Sequence, residues 1–136
     1  MFCYKSLRNW KYELTEDYLS PTDIKGFKID HDYVRLDEDG ILLVRKGYMW
    51  DGASGPTYDS KSSMKPSLVH DALCQLMRLE LLPFDLLDYT DKLFHTLCLE
   101  CGMSKVRAWI WYKALKVCFG SYAKPGTEEP DKVICS

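Results

Sequence analysis

The sequence lacks the segments that would place the protein in or across a membrane. No apolar run approaches the roughly 20 residues that a helix needs to span a bilayer, and residues 1–10 lack the apolar stretch of a secretory signal. Internal repeats and low-complexity stretches are also missing, which excludes fibrous and disordered proteins. We therefore expect a cytoplasmic protein that folds by itself and has no transmembrane segment.

Neither sign of charge dominates the chain. The formal net charge is −2, and the basic residues are scattered except for a modest group in the last predicted helix, at Lys105, Arg107, Lys113 and Lys116. A dedicated nucleic-acid binder has a strongly basic face, so we expect no nucleic-acid partner. The six cysteines are expected to be free thiols, because the chain is large enough to form a core without disulfides.

The composition that is present suits one globular domain. The chain has 136 residues, of which 46% are apolar, and this is enough for one hydrophobic core. We expect a single domain over residues 1–124, strand-rich over 1–60 and helical over 66–120, followed by a polar C-terminal tail at 125–136. The predicted fold class is α+β, with N-terminal antiparallel strands and a hairpin ahead of three helices.

The spacing of apolar residues changes near the middle of the chain. Strands are predicted over 27–33, 33–36 and 41–45, and the Asp39-Gly40 step between the last two supplies the positive φ of a tight hairpin. After Pro66 the period becomes helical, and the first helix is predicted to continue until Pro83. The second helix is predicted over 85–101, before Gly102, and the third from the N-cap Ser104 to before Gly120.

The loop between the strands and the helices, residues 47–56, combines three glycines, a proline and two large aromatics with one acid. Gly52 and Gly55 let main-chain groups approach a ligand closely, and Asp51 adds a carboxylate. The alternative interpretation is a crossover turn that joins the sheet to the helices.

A His-Asp pair lies in the first predicted helix. Helical geometry places His70 at the margin of the apolar stripe, half-buried and neutral near pH 7, and points Asp71 away from the stripe. If the first two helices pack antiparallel across their short link, Asp91 approaches the pair and orients the histidine as a general base. For any one of these residues, a solvated helix face or a core histidine is the alternative.

Two metal sites are conceivable. Asp51 or Asp71, with carbonyl groups of the loop, would suit a hard cation such as calcium or magnesium. His95, Cys98 and Cys101 have a spacing that puts three soft zinc ligands on neighbouring turns. No fourth zinc ligand stands at a recognisable spacing, and Cys98 belongs to an apolar stripe, so a role in the core is favoured there.

Four motifs in order resemble the DUF1353 family, which contains uncharacterised proteins of phages and prophage-bearing bacteria. They are Gly-Tyr-Met-Trp-Asp-Gly-Ala-Ser-Gly-Pro at 47–56, Ser-Leu-Val-His-Asp-Ala-Leu at 67–73, Asp-Lys-Leu-Phe at 91–94 and Gly-Met-Ser-Lys-Val-Arg-Ala-Trp at 102–109. The resemblance covers roughly residues 40–120 and implies a phage or prophage origin without naming a reaction.

Part of the pattern is also similar to secreted phospholipase A2. In that family a glycine-rich loop gives carbonyl ligands to calcium, a helical His-Asp pair supplies the base and a calcium ligand, and an Asp on an antiparallel helix orients the histidine. The resemblance implies these roles for Gly52 to Gly55, His70, Asp71 and Asp91, although the disulfide framework of that family is missing here. The HD-type phosphohydrolases offer a poorer match, which would need His31 as the first metal ligand.

Two functions are compatible with these patterns. One is a phage or prophage accessory protein with a metal-assisted hydrolase site for an ester or phosphoester, whose catalytic residues are His70 and Asp91 and whose calcium or magnesium ligands are Asp51, Asp71, Gly52 and Gly55. The other is a non-catalytic protein-interaction or virion-associated module that binds a host or phage protein through exposed aromatics such as Tyr48, Tyr58, Trp109 and Trp111.

Overall fold

The computed structural model describes residue 2 and residues 4–6, 12–50 and 61–118. The described residues belong to two compact units, one of which ends at Asp51 and contains the strands, while the other begins at Gly52 and contains the helices. The sequence-based prediction of an α+β chain, with antiparallel strands ahead of three helices, is confirmed.

The strand unit contains two antiparallel sheets. The first has the order β1-β2-β7, formed by Tyr4–Ser6, Tyr12–Leu14 and Met49–Trp50. The second has the order β3-β6-β5-β4, formed by Tyr18–Pro21, Ile41–Val44, Val34–Leu36 and Ile29–His31. Side chains alternate between buried and exposed along β3 and β5, as strands with one face on a core require.

The hairpin between β5 and β6 forms where the Asp39-Gly40 step predicted it. Asp37 accepts hydrogen bonds on Oδ1 from the backbone N–H groups of Asp39 and Ile41, each at 3.0 Å. Gly40 has a φ of +87°, and a Cβ at this position would lie 2.5 Å from the carbonyl oxygen of Thr22. The turn therefore needs glycine at position 40, both for the positive φ and because the backbone of Thr22 passes too close to leave room for a side chain.

Three helices make up the described part of the second unit: α1 at Lys61–Arg78, α2 at Leu87–Glu100 after a short 3₁₀ turn at Phe84–Leu86, and α3 at Lys105–Cys118. The first helix starts earlier than predicted, because Pro66 lies inside it. As the sixth residue of α1, Pro66 removes one backbone hydrogen bond of the second turn, and the helix continues through it. None of these three helices has the length and apolar character needed to cross a bilayer.

The ends of α1 and α2 share one backbone motif. After α1, Glu80 has a φ of +62°, its N–H bonds to the carbonyl of Met77, and the N–H of Leu81 bonds to that of Leu76. After α2, Gly102 repeats the pattern with a φ of +94°, as its predicted role as a stop requires. A glycine signals the second stop in the sequence, whereas Glu80 gives no such signal for the first.

Candidate functional site

The pairing of α1 with α2 brings His70 and Asp91 together. His70 Nε2 lies 2.7 Å from Asp91 Oδ1, and the exposed fractions of these two residues are only 6% and 3%. Sequence analysis placed His70 at the margin of an apolar stripe and expected Asp91 to approach it from the second helix, and the short link between the helices allows this contact. His70 is more deeply buried than the half-buried state expected for it, because α1 is covered on almost every face.

Two further side chains hold the imidazole ring in place. Phe94 packs against it edge-on, with 5.6 Å between the ring centroids. Cys74 Sγ lies 3.6 Å from Nδ1 and 3.8 Å from Nε2. A sulfur in the ring plane on the lone pair of Nδ1 would lie much farther from Nε2, so these nearly equal distances place the sulfur above the ring face.

The position of Cys74 decides between two interpretations of the cluster. A Cys-His-Asp nucleophilic triad requires the thiol to donate in the ring plane, and a sulfur above the face does not. The contact is instead a packing contact of a polarizable sulfur on a ring. Nδ1 therefore has no in-plane partner among the described residues, while Asp91 accepts the N–H of Nε2. In the neutral ring this arrangement leaves Nδ1 as the proton acceptor.

The surroundings of His70 change its pKa. Burial by itself lowers the pKa of the imidazole. Contacts with Cys74, the hydrogen bond to Asp91 and the charge of Asp71 raise it by more than burial lowers it, so the pKa is about 10 instead of the ordinary 6.5. With this pKa the ring carries a proton at pH 7, whereas sequence analysis expected a neutral ring.

Of the four predicted metal ligands, only Asp71 lies among the residues that the structure describes. Asp71 follows the histidine on α1 and is half-buried. The predicted metal ligands Asp51, Gly52 and Gly55 lie outside the described residues. Within residues 12–50 and 61–118, no three His, Cys, Asp or Glu side chains converge in a way that could hold a metal ion.

Sequence analysis missed a buried polar sector on α1. Viewed along the helix, seven of the polar positions fall within an arc of about 140° that begins at His70, and Lys61, Ser62 and Lys65 near the N-terminus lie outside it. It contains Ser63, Ser67, His70, Asp71, Cys74, Gln75 and Arg78, all of them buried except the half-buried Asp71. The apolar stripe at Leu68, Val69 and Leu73 occupies the remaining face. A helical projection of the polar residues would have found the sector, but not its burial.

The zinc hypothesis has no support in the described part of the chain. Cys98 is fully buried in a core cluster with Phe94, Met103, Ala108, Trp111 and Leu115. Burial raises the pKa of this thiol to about 12, which disfavours the thiolate that binds zinc. His95 faces the ring of Tyr112 at 5.4 Å between centroids. The interpretation of Cys98 as a core residue is confirmed.

The expected exposed aromatics are only partly exposed. Tyr48 and Trp111 are buried, so assigning them to a binding surface was wrong, and Tyr58 lies outside the described residues. Trp109 is exposed, as expected for a helix that carries aromatics on more than one face. Trp111 is buried because it faces α2 within the core cluster.

Comparisons with known proteins identify a family without a known activity. Searches of curated proteins and of solved structures find no match to this chain. A family model described as "Protein of unknown function (DUF1353)" matches residues 27–115, which include β4 to β7, the His70–Asp91 pair and most of α3. The match covers more than half of the sequence, and the chain therefore belongs to the DUF1353 family.

Proposed function

We propose that this protein is a metal-assisted hydrolase of an ester or phosphoester, encoded by a phage or prophage and acting in the host cytoplasm. The observation that supports the proposal is the 2.7 Å contact between His70 Nε2 and Asp91 Oδ1. Asp91 fixes the orientation and tautomer of the ring, and Nδ1 is left to take a proton from an attacking water. The phage origin rests on the motif resemblance alone.

A hard divalent cation, calcium or magnesium, would be bound by Asp71 together with Asp51 and carbonyl groups of Gly52 and Gly55. Oxygen ligands of this kind fit such a cation. When bound, the cation would polarise the ester carbonyl or phosphoryl oxygen. The charge of Asp71 is the smallest of the contributions that raise the pKa of His70, and a cation bound to Asp71 would offset that contribution.

A screen with chromogenic esters and phosphoesters tests the proposed function. Turnover is measured with calcium, with magnesium and with a chelator, for the wild type and for His70→Asn. We expect metal-dependent turnover that falls about 10²- to 10⁴-fold in the variant, the usual contribution of a general base. His95→Asn is the matched control, because His95 lies against Tyr112 of α3 and not in the His70–Asp91 pair. This variant should retain full activity.

Two results would contradict the hydrolase proposal. One is a wild type without metal-dependent turnover on any substrate of the screen. The other is turnover that persists in His70→Asn, provided that the circular dichroism of the variant is native.

A specific observation also supports the non-catalytic alternative. Val106, Trp109 and Ile110 lie on one face of α3 with exposed fractions of 71%, 55% and 40%. Lys113 Nζ lies 5.5 Å from the ring centroid of Trp109, and α3 contains no acidic residue. As the second candidate function, we propose that this α3 face binds an acidic protein of host or phage origin, either in the cytoplasm or on a virion.

Site-specific photocrosslinking tests the α3 face. A photoreactive amino acid is placed at Val106 and, as a matched control, at the exposed Thr96 of α2. We expect one protein to be crosslinked from position 106 only. With that protein purified, Trp109→Ala should weaken binding at least tenfold, and added salt should weaken it further. Equal crosslinking from both positions, or affinity unaffected by Trp109→Ala, would exclude this surface.

A further inference from the structure

Gln75 carries a buried acceptor that no described residue satisfies. Its exposed fraction is 1%, and its Oε1 has no hydrogen-bond partner. Buried polar atoms in folded proteins are almost always paired, because leaving one unpaired costs free energy. An acceptor kept at this depth therefore indicates a partner that is itself electron-poor: a cation or a hydrogen-bond donor.

The position of Gln75 on α1 favours a cation over a hydrogen-bond donor as the partner of its Oε1. It lies one helical turn after Asp71, so the two side chains are neighbours on the same face, with Cβ atoms about 6 Å apart. Both groups offer oxygen atoms that accept and do not donate when the carboxyl is ionised. One hard cation can take both oxygens as ligands, and amide carbonyls and carboxylates are its usual protein ligands.

We propose that Gln75 Oε1 is a neutral oxygen ligand of the divalent cation that Asp71 binds. This inference rests on the cation of the proposed function and adds a ligand from a position outside the loop. Consecutive helical residues point about 100° apart, so Asp71 would hold the cation on the face of α1 next to that of His70. The base and the cation would thus be fixed by one rigid element, which keeps their separation constant.

Metal titration of four proteins tests the inference without any substrate. Melting temperature and calorimetric affinity are measured with CaCl₂ and with MgCl₂, for the wild type, Gln75→Met, Gln75→Glu and Asp71→Asn. Gln75→Met keeps the length of the side chain and removes the orphan acceptor. We expect its melting temperature to rise by roughly 2–6 °C without metal, and its affinity for the better-bound ion to fall at least tenfold. Gln75→Glu retains an oxygen ligand and should bind at least as tightly as the wild type.

Trp111→Phe provides the matched control. Trp111 Nε1 is the other buried side-chain atom without a partner in the described part of the chain, and it belongs to the cluster between α2 and α3. Replacing it removes an orphan group at a position away from Asp71. We expect this variant to change the melting temperature while its metal affinity stays within twofold of the wild type.

The outcomes show whether the inference fails alone or together with the proposed function. Metal affinity that is unchanged in Gln75→Met overturns the inference, as does a wild type that binds neither ion. A less stable Gln75→Met with unchanged affinity overturns it as well, since this would mean that Gln75 bonds to a structural water. Metal binding that depends on Gln75, in a protein without His70-dependent turnover, supports the inference and refutes only the hydrolase.

Discussion

Asp91→Ala is expected to lower the free energy of unfolding by roughly 3–5 kcal/mol, the usual cost of removing one member of a buried ion pair. The variant leaves His70 with neither a countercharge nor an acceptor at Nε2, in a site where water has little access. Asp91→Asn should cost less, because the amide oxygen still accepts the hydrogen bond. Urea unfolding at pH 7, followed by circular dichroism, measures both changes.

The control for this prediction lies on the same helix. Asp88 is exposed on α2 and pairs with Lys92 and Lys116, so its replacement by alanine should change stability very little. The double variant His70→Ala/Asp91→Ala completes a thermodynamic cycle, and its loss should be clearly smaller than the sum of the two single losses. Additive losses would mean that the two side chains do not interact.

The approach of Asp91 to His70 could be predicted because it depends on local rules. A helical period fixes which residues lie at the margin of an apolar stripe, and a short link forces the two helices to be neighbours. The hairpin at Gly40 and the stop at Gly102 could be predicted for the same reason, since each needs a positive φ that glycine adopts at little cost.

The features that could not be predicted depend on what covers each helix. A stripe analysis treats α1 as a surface helix, but this helix is buried on nearly all faces, including its polar sector. The position of Cys74 above the imidazole ring follows from side-chain packing and not from spacing. Likewise, the sequence cannot tell that Trp111 is buried and Trp109 exposed, because both are aromatic residues of one helix.

Burial also explains why the protonation state of His70 was not foreseen. A histidine at a stripe margin exchanges protons with water near its ordinary pKa, whereas a buried one responds mainly to its immediate neighbours. Three of those neighbours, Asp91, Cys74 and Asp71, favour the charged ring. The sequence locates all three, but only the structure shows that they surround one imidazole.

The stabilising effect of His70 is expected to disappear at alkaline pH. Its folded pKa of about 10 lies above the ordinary value of 6.5, so the folded state binds the proton more tightly than the unfolded chain does. The contribution is therefore complete below pH 6.5 and is lost as pH rises toward 10. The stability difference between the wild type and His70→Asn should narrow over this window by about 1.4 kcal/mol per pH unit.

Urea unfolding of both proteins at several pH values from 6 to 10 measures this difference. Taking the difference removes the effect of thiols that ionise on unfolding, because Cys98, whose folded pKa is about 12, is present in both proteins. Asp91→Asn is the control: without the carboxylate the ring loses one of the groups that raise its pKa, and the pH dependence assigned to His70 should become weaker. A stability difference that stays constant from pH 6.5 to 10 would show that the folded protein does not raise the pKa of His70, and a difference that widens between pH 6 and about 6.5 would show a neutral ring buried at the cost of its charged form.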